Sequence, residues 1–143
     1  MKAEDVKVYR EVQKSAELAI KAIETISEKV YDDTLAMQIS RQMIKYSDLR
    51  GRALDKLLQG KAQPYKKNMV AEAFRAGEIH SRTLLDNSTS HIAELLIEGS
   101  NRNITEMCRT LNHNPLAGDG AVEMAKELMD FEAKNIARTK KFL

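Results

Sequence analysis

An apolar stripe alternating three and four residues apart constrains this chain more than any other feature: Tyr9, Val12, Ala16, Ala19, Ile23, Ile26 and Val30. That spacing puts every apolar side chain on one face of a helix, which other helices must cover. Glu4 and Asp5 stand at its start, where the helix dipole favours negative charge, so the first helix is read over residues 4–30. Leu35, Ile39, Met43, Tyr46, Ala53 and Leu57 repeat the pattern over residues 34–59, with Asp33 as N-cap, Gly60 at the C′ position and Pro64 beyond. A third stripe begins near Pro64 and holds Val70, Ala73, Phe74, Leu84, Leu85, Ile92, Leu95 and Leu96, stopping at Gly99. Asn103 and Glu106 resemble a capping box that opens a short helix over residues 103–112. Pro115, Gly118 and Gly120 mark a loop over 113–120. Asp119 then caps a last helix over 120–142, whose stripe is Ala121, Val122, Ala125, Leu128, Met129, Ala133 and Ile136.

Short connections make neighbouring helices antiparallel. The expected fold is all-α: an antiparallel up-down-up-down four-helix bundle with a short helical insert before the last helix, in a single domain over residues 1–143. No apolar run approaches the roughly 20 residues of a membrane span. The acidic start lacks the apolar stretch of a signal peptide, and Cys108 is the one cysteine, so a disulfide framework is excluded and a cytoplasmic location is expected. The net charge of +2 gives no general pull toward nucleic acid or membrane, and neither is expected as a partner.

Some polar residues fall inside the apolar stripes. Gln42, Tyr46 and Arg50 do so on the second helix, His80, Asn87 and His91 on the flank of the third, and Glu132 on the last, between Met129 and Ile136. If the second helix folds back across residues 60–64, Tyr46 and Arg50 lie level with His80, and Glu132 reaches the same height. Buried charge must be paired, so an Arg50–Glu132 ion pair is expected, with Tyr46 and His80 completing its hydrogen bonds. Such a layer either fixes helix register or forms an internal ligand site built from Tyr46, Arg50, His80 and Glu132.

In helix order and length the chain resembles the ferritin-like superfamily, including small bacterial members. That resemblance implies metal ligands of one Glu from each of two helices and Glu-x-x-His from each of two others. The residues three before His80, His91 and His113 are Gly77, Ser88 and Thr110, so the motif is missing. His91 and Glu94 give the reversed spacing and are the weak metal candidates. No metal or cofactor is expected.

Catalytic constellations are equally absent from the sequence. Cys108 sits beside Arg109, five residues from His113, and is read as a small buried helix cysteine. His80 lacks the Lys-Gly that follows the accepting histidine of phosphotransfer bundles. From Arg41 to Lys67 the local charge is +6. Asp48 and Asp55 break it into a solvated face, but Lys61, Lys66 and Lys67 cluster at the turn with Tyr65 as a surface for an anion. The function expected from these features is non-catalytic protein–protein contact or self-association. Met37, Met69 and Met124 suit adaptable apolar surfaces, and Ala16, Ala19 and Ala22 permit close helix approach. A ferritin-like bundle with an internal ligand or metal site is the alternative.

Overall fold

A computed structural model describes the backbone of residues 1–143 and every side chain except those of Val70, Phe74 and Leu85. Those three members of the third stripe lie outside the described side chains. The chain is all-helical: α1 (Ala3–Ile26), α2 (Asp33–Gln59), α3 (Met69–Leu85), α4 (Thr89–His113) and α5 (Asp119–Thr139), with 3-10 turns at Ser27–Lys29 and Lys140–Phe142.

Five helices stand where four and an insert were expected. The long third helix breaks at residues 86–88, not at Gly99. Asp86 Oδ1 accepts from the Ser88 amide at 2.9 Å, and the Ser88 hydroxyl caps α4 by accepting from the His91 amide at 3.2 Å. Side chains that bond the local backbone in this way end one helix and start the next. Gly99 and Asn103 lie inside α4, so the insert over 103–112 is the second half of that helix. An interior glycine costs about 1 kcal/mol against alanine, which neighbouring turns absorb.

Other ends shift by a residue or more for similar reasons. Asp32, rather than Asp33, caps α2 by accepting from the Leu35 amide at 2.9 Å. Gly118, rather than Asp119, is the N-cap of α5, and its amide is held by Asp5 Oδ1 at 2.7 Å. Gly60 is the C-cap of α2 at φ −80°, and the left-handed residue that follows is Lys61 at φ 56°. The Lys61 amide reaches Leu58 O and the Ala62 amide reaches Leu57 O, the paired bonds of a Schellman ending. Pro64 starts no helix: residues 62–68 have no regular secondary structure and are tied to α1. Gln13 grips both backbone groups of Tyr65, Arg10 donates to Gln63 O, and Asn68 caps α3.

Helix direction follows from the cross-links. Gln38 meets Thr139 and Arg52 meets Glu127, so α2 and α5 are antiparallel. Lys2 meets Leu116 while Ser15 meets Asn103, so α1 and α4 are antiparallel. Lys29 reaches His80 and Thr83, while Tyr65 lies beside Gln13, so α3 runs alongside α1. The α1 helix is the hub and packs against α2, α3, α4 and α5. The core gathers Val8, Val12, Ala16, Ile23 and Ile26 of α1, Leu35, Ile39, Leu49, Ala53 and Leu57 of α2, Ile92 and Met107 of α4, and Ala125 and Leu128 of α5. Among the described residues no helix is long and apolar enough to cross a membrane.

Candidate functional site

Glu132 is fully buried on α5. Its carboxylate collects three donors. Tyr46 of α2 donates its hydroxyl to Oε1. Asn103 of α4 donates to Oε2 at 2.8 Å, and Asn135, one turn along α5, donates to Oε1 at 3.3 Å. Asn135 also reaches the Tyr46 hydroxyl at 3.3 Å, and Asn103 touches Ser15 O of α1 at 3.5 Å. Phe131 meets the Tyr46 ring edge-on at 4.9 Å between centroids. Four helices therefore supply one polar layer at the centre of the core.

No cation belongs to that layer among the described residues. Burial pushes the Glu132 carboxyl up to about 7, against the downward pull of the bonds from Tyr46, Asn103 and Asn135. A carboxylate served only by neutral donors keeps an uncompensated charge, so taking up a proton is favoured. Burial first, then the Glu132 charge, raises the Tyr46 phenol well above its usual range.

The expected Arg50–Glu132 pair does not form. Arg50 is half-buried, has no ion pair among the described residues, and its buried Nε lacks a partner. His80 is also absent from the layer: it is exposed on α3, with Nδ1 2.7 Å from Lys29 Nζ. Its expected place rested on a third helix folding straight back along α2 and running on to Gly99; instead residues 62–68, tied to Arg10 and Gln13, carry the chain along α1, and α3 lies against α1. Two of the four expected residues, Tyr46 and Glu132, do meet. Asn103 and Asn135 complete the layer. Asn103 could have been found by carrying the α4 stripe past Gly99, since Ile92, Leu96, Ser100, Asn103 and Met107 share a face. Asn135 sits three residues after Glu132, on the same side of α5.

His91 lies 3.5 Å from Glu94, which is mostly exposed. Among the described residues no group of three or more His, Cys, Asp and Glu can hold a metal. Lys61, Lys66 and Lys67 are all exposed on the 60–68 segment. Tyr65 of that segment helps line an open groove with Lys7, Arg10, Lys14, Arg109 and His113, and Lys14 lies over its ring at 6.0 Å. Cys108 is exposed rather than buried, with Sγ 3.6 Å from Met129 Sδ.

Two further features surround the layer. A cavity of about 90 Å³ lies between α1, α3 and α4, and Gln42, Tyr46 and Asn103 form part of its wall. On the opposite side of α2, Met37, Ile44 and Leu58 project from the surface, 60%, 71% and 62% exposed. With Gly51 they recur every seven residues, so α2 is apolar on two faces. No family model, curated protein or solved structure matches this chain.

Proposed function

We propose that the protein is a non-catalytic helical module that works by pairing with a second copy of itself through the outer face of α2. The observation that carries this reading is the stripe Met37–Ile44–Gly51–Leu58, which none of the described residues covers. A Cβ at Gly51 would meet nothing within 4 Å, so the glycine leaves an open notch on that face.

The stripe suits its own copy. Set two α2 helices antiparallel about a two-fold axis between Ser47 and Asp48. Ile44 then lies level with Gly51 of the second copy, a large side chain over a notch. Met37 lies level with Leu58, and Arg41 falls beside Asp55, twice by symmetry. Asp48, near the axis, is already held by Arg52 at 3.1 Å within its own helix. Size and charge therefore complement under one symmetry operation. Methionine at the edge lets the contact adjust its packing.

Within one copy, this reading takes α1, α2, α4 and α5 as an antiparallel four-helix bundle and α3 as an added helix against α1. The meeting of those four helices at Glu132 supports it. Kinship with the ferritin-like superfamily is proposed at the level of this arrangement, without its metal site.

Sedimentation velocity of the full chain at micromolar concentrations tests the pairing. The expected result is a dimer of 16.2 kDa chains that Ile44→Asp converts to monomer with its helical circular-dichroism signal intact, and with a melting temperature that no longer rises with concentration. Arg41→Asp alone weakens the dimer, and adding Asp55→Arg restores it. A wild-type chain that stays monomeric at every concentration overturns the reading.

A further inference from the structure

We infer that the cavity between α1, α3 and α4 is a binding site for a small neutral molecule with an apolar body and one acceptor oxygen, an alcohol or ketone of about five carbons. Small side chains make the space: Ala19 and Ala22 of α1 face Leu95, Leu96 and Gly99 of α4. A Cβ built on Gly99 would meet nothing within 4 Å. Its enclosed volume of about 90 Å³ is more than half of the roughly 150 Å³ known to take up benzene, and its open rim gives a guest of about that size the rest of the room it needs.

A second, independent observation points to a ligand. Gln42 forms part of the cavity wall, is only 5% exposed, and its amide nitrogen has no hydrogen-bond partner among the described residues. A buried donor left in this state costs about 1–3 kcal/mol, which an acceptor in the cavity would return. Turning the amide plane presents that nitrogen to the guest. The neighbouring donors are already engaged, because Tyr46 and Asn103 both bond to Glu132. Gln42 is thus the group that reads the guest's oxygen.

The surroundings argue for a neutral guest. The inner end of the cavity lies one residue from the buried Glu132 carboxyl, where no described cation stands, so an anionic head there would be buried without a partner. Glu78 and Glu98 offset two of the three arginines at the rim, Arg75, Arg82 and Arg102, with Arg82 and Glu98 paired at 2.9 Å, and the charge left over stands at the solvent end, away from Gln42. The inner wall is mostly apolar, and Ser100, its other donor there, is spent on the Tyr46 hydroxyl, so Gln42 is left to select a carbon body bearing one oxygen.

The experiment titrates the ¹⁵N-labelled full chain with cyclopentanone and, separately, with cyclopentane. These probes differ in the acceptor oxygen and little in shape. Cyclopentanone is expected to give saturable shifts at the Ala19 and Gly99 amides and at the Gln42 side-chain amide. Gln42→Leu should weaken cyclopentanone about fivefold, the worth of one net hydrogen bond, and leave cyclopentane as tight or tighter. Gly99→Val, which fills the space, should abolish both. Shifts that never saturate, or an equal loss of both probes in Gln42→Leu, would overturn the assignment.

Discussion

The hydroxyl of Tyr46 on α2 donates to the carboxylate of Glu132 on α5 at the closed centre of the molecule, and no cation among the described residues accompanies the pair. Buried carboxylates are ordinarily matched by arginine or lysine. Here neutral amides and a phenol replace the cation, so proton uptake is the remaining way to remove the charge. That leaves Glu132 titrating at about 7.

Removing the acceptor leaves three donors stranded. Glu132→Ala is expected to destabilise by about 3 kcal/mol, because Tyr46, Asn103 and Asn135 lose their common partner and a cavity opens. Glu132→Gln keeps the shape and one acceptor oxygen, and at pH 5 its stability should lie within about 1 kcal/mol of wild type. Urea denaturation at that pH measures both.

Stability should fall as pH rises through neutrality. The folded chain holds the Glu132 proton up to about 7, whereas the unfolded chain releases it near 4.3. Between those values the native state binds more protons, so unfolding becomes easier with each step up in pH. The contribution is fully present below the unfolded value and gone above pH 7, and it amounts to about 3 kcal/mol. Glu98 and Glu127 are held low by their arginine partners and lose their contribution at more acid pH. The difference between wild type and Glu132→Gln, followed from pH 5 to 8 by urea denaturation, isolates the effect.

Lys61 takes a left-handed conformation at φ 56°, which costs a residue with a Cβ roughly 1–2 kcal/mol. Lys61→Gly should raise stability by about 1 kcal/mol, less what glycine loses in the unfolded chain. A thermal melt should show the midpoint rising by a few degrees. A fall would mean that the Schellman ending of α2 is not formed in solution.

Gln42 offers a complementary test of burial. Exchanging its unpartnered amide for the apolar Gln42→Leu side chain should stabilise the ligand-free chain by about 1 kcal/mol. A loss of similar size would show that the amide has a partner in solution. Chemical denaturation of the two chains at pH 7 separates the outcomes.

Much of the helical content was legible because heptad spacing is a property of the chain itself. Tyr46 and Glu132 were legible as site residues for the same reason: each interrupts an apolar stripe. Asn103 was hidden because Asn followed three residues later by Glu has the form of a capping box, and only the local turn at Asp86–Ser88 decides which signal ends a helix. Arg50 misled because a long side chain can leave a buried backbone position and carry its head partway toward water. His80 misled through register, since one misplaced helix end moves every residue beyond it to another height. The exposed stripe on α2 was missed because one strong inner stripe draws attention from a second on the opposite face.

A ¹³C NMR titration that follows the side-chain carboxyl of Glu132 measures the protonation of the buried layer directly. The expected result is a single transition near pH 7, moved further up when Asn103→Leu removes a donor to the charged form. A transition below pH 5, where exposed glutamates titrate, would contradict a closed, cation-free layer at the centre of this fold.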